Sequence, residues 1–440
     1  MKTLNLFIFF LAAIMIFACS PAQESGSKYL TEGPSHVEMR EVDGRFRLFV
    51  NGEEFYVKGA GCEFGPCYRV AAHGGNSFRT WRTDNSRRPA LEILDEAYEH
   101  GLMVMMGLDM ARERHGFDYD DEDAVKAQLE RFRHEVMELK DHPALLGWGI
   151  GNELNLRYTN FKVWDAVNDI AKMIKEVDGN HVTTTMLAGI GPDEVAYIAE
   201  NCPDLDFLSI QMYGALINLP QYLENAGYDG PYLVTEWGPV GHWEMPQTAW
   251  GRPIEQTSTE KSETIKTRYK DVILADDANC MGSYVFLWGQ KQERTPSWYG
   301  FFTEAGESME PVHTMEYLWT GEWPEQKAPR ILDISIAGKG GRFDSVQLDR
   351  DGSYAVIISV EHHDKESLGV RAEIMPEPQV LSDGGDYEPR PASIEGLIVS
   401  ADLKRIIFNA PPEPGEYRIL VYVTDQYNNA GAANVPFYVY

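Results

Sequence analysis

Leu145-Leu146-Gly147-Trp148-Gly149-Ile150-Gly151-Asn152-Glu153 decides the fold. An apolar run of this length ending in small residues reads as a strand buried on both faces, as in a parallel sheet. A carboxylate closes it, and a buried charge is costly unless something uses it. The pattern returns in Tyr232-Leu233-Val234-Thr235-Glu236-Trp237-Gly238. Two carboxylates at the ends of two such strands suit paired acid and nucleophile chemistry, with Glu153 and Glu236 as the pair.

Outward from these runs the text alternates strand, loop and helix. Strands are expected at 55–59, 77–81, 103–108, 145–150, 182–187, 207–212, 232–236 and 282–288. Helices are clearest at 88–100, 122–140, 161–177 and 260–275. In the second of these, Val125, Leu129, Phe132, Val136 and Leu139 recur at helical spacing with charges opposite. Eight β/α repeats match a (β/α)8 barrel. An open doubly wound sheet is the rival, but its glycine-rich phosphate fingerprint is missing. Ahead of the barrel, Arg45–Val50 and the turn Asn51-Gly52 signal a hairpin. Beyond a proline-bearing linker at 323–329, short β runs separated by Gly, Asp, Asn and Pro turns predict an all-β immunoglobulin-like sandwich over 330–440. Its tryptophan-free sequence predicts a structural role, packed against the barrel. Tyr387 and Tyr427 sit in turns.

The chain has 440 residues and a formal net charge of −29, which argues against a nucleic-acid partner. Lys2, an apolar run from Leu4 to Phe17, and Ile16-Phe17-Ala18-Cys19-Ser20 resemble a bacterial lipoprotein signal ending at a lipobox. The resemblance implies that residues 1–19 form the signal, that Cys19 carries lipid, and that 20–35 are a flexible tether. The chain would then sit in the bacterial cell envelope, touching membrane through the anchor only. Cys62, Cys67, Cys202 and Cys280 show no paired spacing and read as free thiols, with a Cys62–Cys67 bridge as the alternative. No His or carboxylate cluster has metal-ligand spacing, and nothing calls for a cofactor.

Residues 36–322, the expected catalytic barrel, resemble the large clan of retaining glycoside hydrolases built on (β/α)8 barrels. Family 2 barrel domains and several β-glucanase families belong to it. In that clan the acid/base follows Asn at the end of the fourth strand, matching Asn152-Glu153, and the nucleophile ends the seventh, matching Glu236. The resemblance implies further roles. Arg79, ending the second strand, would keep the nucleophile ionised. Asn152 would bond the sugar 2-hydroxyl, and Tyr213, after the sixth strand, would bond the nucleophile. Trp288, at the eighth, would floor the sugar being cleaved. Trp81, His115 and Trp237 are assigned to substrate contact. Glu63, Asp84, Arg112, Trp243, Trp250 and Trp298 fall in loops on the same face. One departure stands out: family 2 enzymes usually carry sandwich domains before the barrel, and here the sandwich follows. That order resembles some bacterial endo-β-1,3-glucanases. It implies a polysaccharide or oligosaccharide substrate, with β-1,3-glucan first. A β-glucan transglycosylase or an exo-β-glycosidase is the alternative within the same chemistry. A non-catalytic surface glycan-binding protein is the rival of another class.

Overall fold

The computed structural model describes residues 27–85 and 87–440, so the lipobox Cys19 lies outside the described residues. A small antiparallel sheet comes first: β1 (Val37–Val42), β2 (Arg45–Val50) and β3 (Glu53–Phe55). Its two tight turns, Asp43-Gly44 and Asn51-Gly52, have positive φ at both positions, the geometry two-residue hairpins favour. Val37, Leu48, Val50 and Phe55 then pack onto the barrel-interior residues Met103, Leu146, Phe207 and Leu233. Backbone bonds from Val37 to Asn180 and from Phe46 to Ala278 seat the sheet just ahead of two barrel strands. It plugs the barrel's N-terminal end and leaves the other end for chemistry.

The barrel is closed and parallel: β4 (Val57–Gly61), β5 (Ser77–Arg79), β6 (Met103–Leu108), β7 (Leu145–Asn152), β8 (Val182–Ala188), β9 (Phe207–Gln211), β10 (Tyr232–Trp237) and β11 (Cys280–Val285). All eight lie on the segments the sequence predicts, with ends displaced by a few residues. Glu236 is the last residue but one of the seventh barrel strand, and Glu153 follows the fourth. Helix Glu122–Leu139 starts where the Asp121 side chain accepts from Ala124 N at 3.0 Å. Helix Ser258–Arg268 opens with a capping box between Thr257 and Glu260. Further helices at Ala90–Glu99, Lys162–Val177, Pro192–Asn201, Leu219–Ala226 and Glu310–Thr320 lie in the outer layer.

After residue 322 the chain forms two sheets. One carries Gly369–Pro376, Gly415–Thr424, Asn429–Val439 and Val346–Leu348. The other carries Gly340–Gly341, Arg330–Ile336, Ser353–Glu361, Ile406–Asn409 and Ile398–Ala401. A core of Ile331, Ile334, Val356, Phe408, Ile419 and Val435 lies between them. The barrel lends the first sheet a two-residue strand, with Ser308 and Met309 paired to Asn429 and Ala430. Arg418 is buried at this junction, bonded to Glu377, Asn434 and the Pro253 carbonyl. Asn434 in turn donates to Glu255, which also holds Lys261. The tail unit is thus packed onto the barrel through buried charged groups.

One expectation is corrected here. Cys62 and Cys67 are joined in a disulfide, while Cys202 and Cys280 are free and buried. The loop after the first barrel strand folds back within five residues and brings the two sulfurs together.

Candidate active site

Both strand-end carboxylates sit at the open end of the barrel. Glu236 accepts from the Tyr213 hydroxyl at 2.6 Å and from Trp81 Nε1 at 3.3 Å, and Arg79 Nη2 lies 3.5 Å from it. Arg79 is fully buried and held three ways. It donates to the Thr235 carbonyl at 3.1 Å and to Asn152 Oδ1 at 2.6 Å, and its guanidinium lies 4.5 Å from the Trp81 ring centre. Two donated hydrogen bonds and one guanidinium thus converge on the Glu236 carboxylate. Burial and the Glu236 charge push the Tyr213 hydroxyl far above its ordinary range, so it stays a donor.

Glu153 is built differently. Its carboxyl is pushed up to about 8, first by burial and then by the charge of Glu236, against the pull of Arg114, Arg79 and Arg112. With its amide oriented to satisfy its neighbours, Gln211 donates to Glu153 Oε1 at 2.9 Å and accepts from Arg79 Nη1 at 2.7 Å. The Glu153 backbone is left-handed, with φ of 51°, a conformation that side chains other than glycine rarely adopt. Three bonds fix it: its N–H to the Met186 carbonyl, and its carbonyl to Leu156 N–H and to Arg114 Nη1 at 3.2 Å. Strain of this kind clusters at functional sites. One carboxyl is thus kept protonated near neutral pH beside another rich in donors, the split of roles a general acid and a nucleophile require.

Residues 83–257 match the family model for glycosyl hydrolases family 2, TIM barrel domain. That segment covers less than half of the chain and includes both carboxylates. No curated protein sequence matches the chain. Among solved structures, an FMN-binding β-glucuronidase from Facaelibacterium prausnitzii L2-6 is similar over 91% of this chain and 59% of its own, at 15% identity and a TM-score of 0.46. A glycosyl hydrolase family 2 member from Bacteroides cellulosilyticus DSM 14838 aligns over 91% and 48%, at 14% identity and a TM-score of 0.44. An endo-1,4-β-mannanase from Eisenia fetida aligns over 65% and 96%, at 15% and 0.42. The chain spans only about half to three-fifths of the first two, and these likenesses are too distant to carry function.

The structure brings Arg79, Asn152, Tyr213 and Trp81 together around the carboxylates. Two other assignments are corrected. Trp237 is fully buried and stacks on Tyr269 with ring centres 5.7 Å apart. Side chains alternate along a strand, so a Glu236 that faces the barrel mouth turns Trp237 toward the helices. Trp288 is also fully buried, packed against Phe301, Phe302 and Trp319. The eighth strand ends at Val285, and Phe286 stands where Trp288 was expected. It packs edge-on to Trp81 at 5.6 Å and to Tyr213 at 6.1 Å, the two donors to Glu236. His115 lies on the rim, bonded to Asp386 of the tail unit at 2.9 Å.

Among the loop candidates, Arg112 donates to the Asn152 carbonyl at 3.2 Å and Glu63 pairs with Arg82 at 2.6 Å. Trp243 is 58% exposed and stands edge-on to Tyr213 at 5.5 Å, beside the hydroxyl that donates to Glu236. Trp298 is buried, donating to the Val240 carbonyl. Trp250 packs on Tyr438 of the tail unit. Sequence reasoning missed Gln211, Phe286, Arg114 and Glu244. The last accepts from the backbone of Gly214, Ala215 and Gly241 and so ties the loops after the sixth and seventh strands together. No motif marks any of them; only strand register would have pointed to Gln211, two residues before Tyr213.

Proposed function

We propose that this chain is a retaining β-glycosidase with Glu153 as acid/base and Glu236 as nucleophile. Glu236 attacks the anomeric carbon while the Glu153 carboxyl gives its proton to the departing glycosidic oxygen. The glycosyl ester on Glu236 is then opened by water whose proton returns to Glu153. One observation carries the reading. The arginine beside the Glu236 carboxylate, itself held by Tyr213 and Trp81, also donates to Gln211, which in turn donates to the Glu153 carboxyl. In this reading Asn152 meets a substrate hydroxyl and Trp243 a sugar face. The test is labelling by a 2-deoxy-2-fluoro β-glycosyl fluoride, followed by peptide mapping. A glycosyl adduct on Glu236 is expected. An adduct elsewhere, or none with a panel of gluco, galacto, manno and glucurono reagents, would remove the assignment.

The finer readings are proposals too. β-1,3-Glucan is the first polymer to try, a choice that rests on the barrel-then-sandwich order alone. The two-sheet tail is read as immunoglobulin-like, with the linker at 323–329. Cys19 is read as the lipid-bearing residue of an envelope protein. Metabolic labelling with a palmitate analogue, lost in Cys19→Ser, tests the anchor.

A further inference from the structure

The tail unit does not stop at the junction. Between its strands Gly369–Pro376 and Ile398–Ala401 a long loop returns to the barrel's open face. Its base is closed by Glu388, which accepts from Ser382 N at 3.2 Å. The same carboxylate accepts from Arg294 N and Arg294 Nη1, both at 2.7 Å, in the loop after the eighth barrel strand. The Glu388 side chain is fully buried, so this anchor is shielded from water and salt.

The tip of the loop, Asp383–Tyr387, then crosses the rim. The Gly385 carbonyl accepts from Lys291 Nζ at 2.6 Å, on the eighth-strand side. The preceding Gly384 carbonyl accepts from Arg114 Nη2 at 3.3 Å, after the third strand. Asp383 pairs with Arg157 at 2.7 Å, after the fourth. In the closed order of strands the fourth and eighth stand opposite one another. The tip is therefore tied to loops on opposite sides of the mouth. Gly384 fits because it has φ of 58° and no side chain; a Cβ there would lie 2.6 Å from Leu156 and 2.9 Å from Arg114. Arg114 bonds both this tip and the carbonyl of Glu153, so one guanidinium separates the tip from the backbone of the acid. Tyr387, flanked by the anchored Asp386 and Glu388, is itself 85% exposed.

We propose that the Asp383–Tyr387 turn is a fixed cap that shortens the substrate cleft into a pocket admitting a chain end, with Tyr387 as the sugar-stacking residue on that cap. An aromatic ring held on a rigid turn and left bare suits the apolar face of a sugar. A bridge across the mouth blocks a polymer from lying through the site. The proposal deepens the glycosidase reading and rests on it for its substrate. It also favours the exo alternative over internal attack.

Two measurements on the full chain test it. The first needs no turnover: hydrogen exchange of the wild-type protein should show the amides of Ser382 and Asp386, which donate to Glu388 and to the Asp383 carbonyl, protected at least tenfold over a free loop, with the Asp386 protection lost in Asp383→Ala/Lys291→Ala. Free-loop exchange in the wild type would overturn the cap whatever the enzyme cleaves. The second uses the 4-nitrophenyl β-glycoside that the protein turns over, as the one-sugar and three-sugar compounds. Tyr387→Ala should raise KM for the longer compound about five- to tenfold and leave the one-sugar KM within twofold. The double variant should release longer products from soluble β-1,3-glucan, or from the polymer of that same sugar. Equal effects on both compounds, or unchanged product sizes, would overturn the proposal. Absence of turnover on every glycoside, with the cap protected, would count against the glycosidase reading and against the cap's role in binding sugar.

Discussion

Glu153 holds its proton because burial and Glu236 both disfavour its charge. The consequence for rate is an alkaline limb. The value of kcat/KM should fall as pH rises through about 8, because the acid is then spent. Glu153→Gln should abolish that limb on an activated aryl glycoside, and Glu153→Ala should hurt a natural glycan at least a hundredfold more than the aryl compound. Equal losses on both would make Glu153 structural. Stability follows the same proton. The folded-state value lies above the ordinary 4.5, so the folded chain keeps a proton that the unfolded chain has released. This group's contribution is greatest below about pH 4.5, declines as pH rises toward 8, and is level beyond. Glu153→Gln removes that decline. Its melting temperature should match wild type at pH 4.5 and exceed it at pH 8.5. No difference at either pH would mean that the site holds the ionised form without cost.

At the scale of the strand, the two strand-end carboxylates were legible and the facing of the aromatic residues was not. A carboxylate closing an apolar run stands out because apolar neighbours give it no local partner. Trp237 and Trp288 look equally placed in the text, yet both face the helices. Barrel strands are buried on both faces, so no alternation of polar and apolar residues reports which side faces the mouth. The order of side chains along the strand does report it once one member is fixed, and Glu236 fixes Trp237. Packing, not sugar contact, is therefore what Trp237 supplies. Trp237→Ala should cost about 3–5 kcal/mol of stability, while Trp237→Phe should lower the melting temperature and keep KM within twofold. A KM rise of tenfold or more in the phenylalanine variant, without loss of stability, would restore it to the substrate site.

Across the whole molecule, what the sequence hid was which residues join the two units. The eight barrel strands and most tail strands are local patterns, and local patterns can be read. The bond between His115 and Asp386 links residues 271 apart, and the charged junction at Arg418 draws on loops whose partners no spacing announces. That junction should make the chain unfold as one body. Arg418→Ala strands Glu377 in the interior, which is strongly destabilising, about 3–5 kcal/mol. Calorimetry should show one transition shifted down; two separated transitions would mean that the units fold independently. The central claim is that Glu153 and Glu236 work as acid/base and nucleophile through a covalent glycosyl-enzyme. Proton NMR of the first sugar released from an aryl β-glycoside tests it most directly. The account predicts the β anomer first, with the α anomer growing in only by mutarotation; an α anomer as first product would contradict it.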